Sequence, residues 1–364
     1  MTKTEAPLRR GWTTGACATA ASKAACAALL TGRFPDPVEI ALPSGKRVGF
    51  ALARQELGDG FARVGVVKDA GDDPDVTHGA LIVATVSHGR KGSGVTFKRG
   101  EGVGLVTRPG LALAPGEPAI NPVPRRMMRQ AIAEIAGEGA GVQIEISVVG
   151  GEKMAERTLN ARLGILHGVS ILGTTGVVIP YSCSSWIHSI HRGVDVARAM
   201  GFGHVAGSTG NTSERAVQAL YGLHEVQLID MGDFVGGMLK YVRDHPIPLV
   251  TIAGGVAKMT KLAQGMLDLH SKRGMADMEA LAAVAGSAGA DAALAARLAG
   301  ANTVAEAFAL AGEAGVAIGD AIAQAAHRTA SEVVAGAGVE VEILVFDREG
   351  GMVGAHSPRP LNRR

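Results

Sequence analysis

The sequence predicts an α+β domain followed by an α/β domain built on a doubly wound, parallel, Rossmann-like sheet, then a helical segment and a terminal β-hairpin. Three observations predict it. Short alternating or apolar runs bounded by glycine and proline crowd residues 1–165, the pattern of a mostly antiparallel sheet. After Asn160 the chain repeats strand, glycine turn and helix four times, which requires a parallel sheet with helices on both faces. Alanine-rich stretches with periodic Leu and Val fill 276–335, and two apolar runs at 339–346 and 352–355 flank Asp347-Arg-Glu-Gly-Gly. The expected domains are therefore 1–165, 166–270 and 271–335, with the hairpin in 336–364 returning to the N-terminal sheet.

Taken in order, Arg9-Arg10-Gly-Trp-Thr-Thr-Gly15 leads into an alanine-rich run to Leu30 that is almost without charge, so a helix here is packed on most sides. Thr13 or Thr14 can cap it and Gly32 can close it. Its free N–H groups, with Arg10 just upstream, suit a carboxylate. Runs at 38–42 and 47–52 read as a hairpin. Strands at 61–67 and 81–86 flank the loop Val67-Lys-Asp-Ala-Gly-Asp-Asp-Pro-Asp-Val-Thr-His-Gly79. This loop gathers Asp69, Asp72, Asp73, Asp75, Lys68 and His78, and Gly71 and Pro74 break any helix in it. A solvated acidic turn and a site held at both ends by sheet are the two readings. The spacing does not fit a calcium loop. Further strands follow in 95–108, then four prolines between Pro115 and Pro124 forbid regular structure. Pro124 is placed to open a helix over 125–136, and 142–149 alternates as a half-buried strand.

The parallel sheet is expected from strands at 169–172, 204–206, 226–230 and 248–252. Its turns read Gly173-Thr174-Thr175-Gly176, Gly207-Ser208-Thr209-Gly210-Asn211, Asp230-Met-Gly-Asp233 and Gly254-Gly255. Ligands bind such sheets beyond the carboxyl ends of the strands, so these turns indicate a small-molecule site although none carries the full G-x-G-x-x-G fingerprint.

Lys+Arg 36 against Asp+Glu 34, with no basic block, excludes a general nucleic-acid binder. No run of about 18 apolar residues is present, so no membrane span is expected. The opening Met1-Thr-Lys-Thr-Glu-Ala lacks the apolar core of a signal peptide, which places the protein in the cytoplasm. Cys17, Cys26 and Cys183 are odd in number and have no C-x-x-C spacing, so they read as buried thiols rather than disulfides or metal ligands. A homo-oligomer is compatible with all of this.

Several ordered stretches point further. They include Leu8-Arg-Arg-Gly-Trp-Thr-Thr-Gly-Ala-Cys, the acidic loop, Gly102-Val-Gly-Leu-Val-Thr-Arg-Pro-Gly-Leu and Pro118-Ala-Ile-Asn-Pro-Val-Pro-Arg. Thr158-Leu-Asn-Ala-Arg-Leu-Gly-Ile, Ile171-Leu-Gly-Thr-Thr-Gly and Lys258-Met-Thr-Lys-Leu-Ala-Gln-Gly continue the series. Together the chain resembles the cobalt-precorrin-5B C(1)-methyltransferases, the CbiD family of cobalamin biosynthesis, over about residues 8–270. Gly254-Gly-Val-Ala-Lys departs from the family pattern, and 280–335 matches it only in composition.

The resemblance implies S-adenosylmethionine as methyl donor and an anionic corrinoid, cobalt-precorrin-5B, methylated at ring carbon 1 to cobalt-precorrin-6A. It implies that arginines and helix N-termini hold the substrate's carboxylates. Arg10, Thr13, Thr14, Arg108, Asn121, Arg125 and Arg126 have the right type or neighbourhood, and Lys68, Asp69, Asp72 and Asp75 line the loop. His78 is the first candidate for a base, with His88 second, because imidazole titrates near neutrality. Asp73 would orient its neighbours. Gly173, Thr174, Thr175, Gly176, Gly207, Ser208, Thr209, Gly210, Asn211 and Asp230 would meet adenosylmethionine. Two other readings stay open: a small-molecule phosphotransferase with a phosphate cradle in 100–122, and a non-catalytic tetrapyrrole-binding protein.

Overall fold

The computed structural model describes residues 7–360, and the N-terminal stretch read for a targeting signal lies outside them. The chain divides into two compact units, Met1–Ser182 and Cys183–Arg364, so residues 166–182 go with the first unit rather than the second.

The first unit runs β1 (Gly11–Trp12), α1 (Thr14–Thr31), β2 (Val38–Ala41), β3 (Arg47–Phe50), β4 (Arg54–Gly58), β5 (Phe61–Val67), β6 (Leu81–His88), β7 (Val95–Arg99), β8 (Leu105–Val106), α2 (Pro122–Ala136), β9 (Val142–Val148), α3 (Gly151–Ala155), β10 (Ile165–Leu166) and β11 (Val177–Val178). Its main sheet has the order β4-β5-β6-β9-β7, antiparallel except for β7 beside β9. The alternation in β9 places Val142, Ile144, Ile146 and Val148 in the core. Helix α1 lies against β5 and β6, and its run from Thr14 to Ala28 is buried on every side. Only a chain of small side chains permits that closeness. Thr13 caps the helix by accepting from the Ala16 N–H, and Gly32 ends it in the left-handed conformation, as the sequence predicts.

The second unit runs α4 (Cys183–Ala199), β12 (His204–Ser208), α5 (Asn211–Tyr221), β13 (Leu228–Asp230), α6 (Val235–Asp244), β14 (Leu249–Gly255), α7 (Val256–Ala263), α8 (Met278–Ser287), α9 (Ala292–Ala299), α10 (Val304–Glu313), α11 (Ile318–Val333), β15 (Glu340–Phe346) and β16 (Met352–His356). Its sheet has the order β13-β12-β14-β15-β16, with the first four strands parallel and β16 antiparallel. Helix α5 packs against β12, β14 and β15, while α6 contacts both α4 and α11. The order reverses direction at β12, so the switch point lies between β12 and β14.

Two expectations are corrected here. The run 169–172 is not the first parallel strand. Val169 and Ile171 are buried in the first unit and bridge Val103 and Ile120 singly, and no helix follows until Cys183. A four-residue apolar run between glycines looks the same in either setting. The terminal hairpin forms, but β15 pairs in parallel with β14 over seven residues rather than with the N-terminal sheet. Six of its seven residues are buried, as befits an interior parallel strand covered on both faces. Among the described residues, no helix is long and apolar enough to cross a membrane.

Candidate functional site

In the first unit, the acidic loop between β5 and β6 meets the segments before α1 and after β10. Strand β1 pairs with β11, the Trp12 N–H donates to Asp69 O at 2.7 Å, and the Thr13 N–H donates to Gly176 O at 3.1 Å. The approach is so close that a Cβ on Gly11 would lie 2.0 Å from the Ala70 backbone. Gly71, with φ 69°, turns the loop where its own Cβ would strike Arg9 O.

Each of the four loop carboxylates is engaged in this junction. Asp69 accepts from the Arg9 guanidinium at both oxygens and from the Gly71 N–H at 2.9 Å. The Arg9 hydrogen bond, with the Gly71 N–H, holds the Asp69 carboxyl below its ordinary range. Asp72 exchanges bonds with the Arg9 backbone, accepting from its N–H at 2.6 Å and donating its own N–H to Arg9 O at 2.9 Å. Asp73 accepts from the Tyr181 N–H at 2.8 Å, where Tyr181 sits at φ 55°. Asp75 accepts from the Lys68 ammonium and from the Thr77 hydroxyl and N–H. Burial pushes the Asp75 carboxyl up, but the Lys68 charge and these hydrogen bonds outweigh it and leave it lowered.

Several expected ligands are therefore structural. Lys68 is 2% exposed, and its ammonium is held by Asp75 and by the Thr77 hydroxyl at 2.5 Å, so it does not reach a ligand. Thr14 Oγ1 donates to Leu172 O and accepts from the Leu172 N–H, and the Gly15 N–H donates to Leu172 O at 2.9 Å. The first turn of α1 is thus closed by protein rather than open to a carboxylate. Arg108 holds the carbonyl of Arg162 at 2.9 Å, and Arg125 holds Ile120 O at 2.7 Å while pairing with Glu117. Asn121 occupies the cap position of α2 without a side-chain cap bond. Arg10 and Arg126 are exposed and have no partner among the described residues.

His78 accepts the Ala70 N–H on Nδ1 at 3.1 Å. With Nδ1 accepting, a neutral ring would carry its proton on Nε2, and the Asp69 carboxylate lies 3.9 Å from Nδ1. His88 ends β6, seven residues beyond Leu81 and so about 23 Å along the strand from the loop. The stretch 100–122 is no phosphate cradle, because the N–H groups of Gly100, Gly104, Val106, Gly116 and Ala119 all donate to backbone carbonyls. Burial pushes the Cys17 thiol up to about 12 and the Cys26 thiol up to about 11, which makes both inert, whereas Cys183 is exposed against expectation. The rim of this region carries half-exposed Leu172 and Ile179 and the exposed Tyr181.

The second unit contrasts with this. At the carboxyl ends of its parallel strands, Ser208 stands in register with Asp230 on β13 and with Ala253 on β14. Ser208 is buried, yet its hydroxyl has no hydrogen-bond partner among the described residues. Gly210 precedes α5 with no side-chain cap bond, so the first backbone N–H groups of α5 lack a capping side chain. Lys258 Nζ donates to Thr209 O at 2.9 Å and stands 3.1 Å from Asp233 Oδ1, an ion pair that lacks hydrogen-bond geometry. Gly173, Thr174, Thr175 and Gly176 are not part of this edge: Gly173 packs on Thr13 in the first unit. Residue order alone assigns Lys258 and Asp233 no role. Asp233 does close one of the glycine turns and Lys258 opens one of the family-like stretches, and a cation in the first turn of a helix, opposing its dipole, is a further signal.

The CbiD family matches residues 1–180, and the family described as CbiD, C-terminal domain, matches residues 268–357, which covers the helical stretch that matched only in composition. A protein of Agrobacterium fabrum named cobalt-precorrin-5B C(1)-methyltransferase is 64% identical, covering 97% of this chain and 96% of its own. Its namesakes from Paramagnetospirillum magneticum and Halorhodospira halophila are 63% and 59% identical, covering 96% and 95% of this chain and 98% and 94% of their own. A crystal structure titled as a cobalamin biosynthesis protein (cbiD) from Archaeoglobus fulgidus is 30% identical with a TM-score of 0.38, covering 68% of this chain and 77% of that one. On the identity and coverage of these relatives, this chain belongs to the CbiD family.

Proposed function

We infer that this chain methylates ring carbon 1 of cobalt-precorrin-5B in cobalamin biosynthesis, with S-adenosylmethionine as donor, as the names of its relatives indicate for those proteins. The observation that carries the donor assignment is the edge of the second sheet. Strand β12, the turn Gly207-Ser208-Thr209-Gly210, helix α5 and strand β13 ending in Asp230 follow one another at the switch point. An acid closing the second strand about 20 residues after the glycine turn is the arrangement that takes ribose hydroxyls in dinucleotide-binding sheets. Removing 169–172 from the sheet is what brings Asp230 to that position.

The residues fit the group. The Ser208 hydroxyl is a buried polar atom awaiting a partner, and the uncapped N–H groups of α5 suit the methionine carboxylate. When bound, adenosylmethionine supplies an activated methyl on a sulfonium. The protein's task is then to bring carbon to methyl in line, at about 3–3.5 Å, and to exclude water. Of the expected first-unit ligands, Arg10 and Arg126 have no partner among the described residues and suit a carboxylate, and the exposed Leu172, Ile179 and Tyr181 suit an apolar ring face. His78 offers a hydrogen bond from Nε2, and no proton is routed through it. The acidic loop shapes this surface without taking part in chemistry.

The test is single-turnover methyl transfer from adenosylmethionine to cobalt-precorrin-5B, run beside a thermal-shift panel of adenosylhomocysteine, ATP and NAD. Adenosylhomocysteine is expected to stabilise by about 2.7 kcal/mol at 100 times its Kd. Protection by ATP or NAD alone would contradict the reading.

A further inference from the structure

Lys258 occupies an unfavourable place for a cation. It sits in the first turn of α7, where the helix dipole opposes positive charge, and α7 has no side-chain cap. Its side chain is about one-third exposed, and its ammonium reaches two other turns at once: the carbonyl of Thr209 after β12 at 2.9 Å, and Asp233 after β13 at 3.1 Å. It therefore ties together the three turns that surround the switch point. Neighbouring residues hold the lysine in place. Met259 packs where a Cβ on Gly254 would fall at 2.7 Å, and the buried Lys261 donates to Leu269 O at 3.1 Å.

We propose that Lys258 is a positioning residue for the methyl-donor site, setting the turn Ser208–Asn211 so that its N–H groups and the Ser208 hydroxyl meet the donor. The physical step is short. In a trans peptide the carbonyl and the following N–H point in opposite directions. Pinning Thr209 O to Lys258 thus turns the Gly210 N–H away from Lys258. The Thr209 N–H is fixed too, donating to Ala253 O at 3.0 Å, so the turn is clamped at both sides of Thr209. Asp233 holds the ammonium over the turn and neutralises it, which matters because the donor is itself a cation. This proposal rests on the assignment of the donor to this edge.

The experiment is isothermal titration of adenosylhomocysteine into the wild type, Lys258→Met, Asp233→Asn and Asp230→Ala, with ligand-free melting curves for each. Losing a charge-assisted bond that orders the turn is expected to raise Kd about tenfold in Lys258→Met. Asp233→Asn leaves the bond to Thr209 and is expected to raise it about threefold. Ligand-free melting should move by no more than about 2 °C in either variant. With adenosylmethionine as varied substrate, KM should rise in Lys258→Met while kcat stays within about twofold. A Kd in Lys258→Met within twofold of wild type, with Asp230→Ala weakened, overturns the role of Lys258 and leaves the donor site standing. Weakened binding that tracks a large drop in melting temperature in both Lys258→Met and Asp233→Asn also overturns it, as a structural effect. No binding to wild type, or normal binding in Asp230→Ala, overturns the donor site and this proposal with it.

Discussion

The acidic loop of the first unit and the glycine turns of the second unit give similar signals in sequence, since both are polar, glycine-bearing and bounded by strands. Their hydrogen bonding separates them. In the loop, Asp69, Asp72, Asp73 and Asp75 each close a bond to Arg9, Tyr181, Lys68 or Thr77, and the joined segments approach within backbone contact. At the turns, a buried Ser208 hydroxyl has no hydrogen-bond partner among the described residues and α5 starts without a side-chain cap. A cluster of ionisable residues is thus a poorer guide to a binding site than an unfinished set of hydrogen bonds around a switch point. The loop is a fastening, and the turns are where we propose that the donor binds.

That comparison can be broken most sharply at the Lys68–Asp75 pair. Asp75→Ala leaves a buried ammonium with only the Thr77 hydroxyl, and is expected to cost about 3 kcal/mol of stability in denaturant unfolding. Because the folded-state pKa of Asp75 lies below its ordinary 3.8, its contribution is fully present above that value. It is lost as pH falls through the depressed value. Wild-type melting should therefore drop steeply below about pH 4, and the drop should be shallower in Asp75→Ala. A variant as stable as wild type would show that the loop is not a fastening.

The converse test is Asp230→Ala, which should weaken adenosylhomocysteine by about 2 kcal/mol, roughly thirtyfold, in a binding titration. Arg9→Ala removes an ion pair whose partners are both about half exposed, so only a small fall in melting temperature, shrinking further in high salt, is expected from melting curves. Asp73→Asn keeps an acceptor for the Tyr181 N–H, and its stability should stay within about 0.5 kcal/mol of wild type. Single-turnover transfer at the wild-type rate should accompany it. A large loss of rate there would return Asp73 to the chemistry.

Much of the architecture was legible because it is written in local pattern. The alternation in 142–148, the alanine helix with its Thr13 cap and Gly32 end, and the strand-turn-helix units from His204 onward all appear where periodicity and capping place them. What failed depends on distant partners. The pairing of β14 with β15 joins Leu249 to Glu340 across the intervening helices, and no local pattern encodes that choice. The run 169–172 has the composition of a buried strand, and only its neighbours Val103 and Ile120 decide where it is buried. The carbonyls held by Arg108 and Arg125, and the Ala70 N–H that His78 accepts on Nδ1, likewise leave no trace in residue identity.

The placement of the donor is tested most directly by hydrogen–deuterium exchange of the full chain with and without saturating adenosylhomocysteine. Slowed exchange is expected at 207–213, 230–233 and 254–258, the three turns around the switch point, with little change at 67–80 and 172–176. Protection confined to 172–176 or to the acidic loop, with none at the three turns, would contradict the assignment of the methyl donor to the second unit.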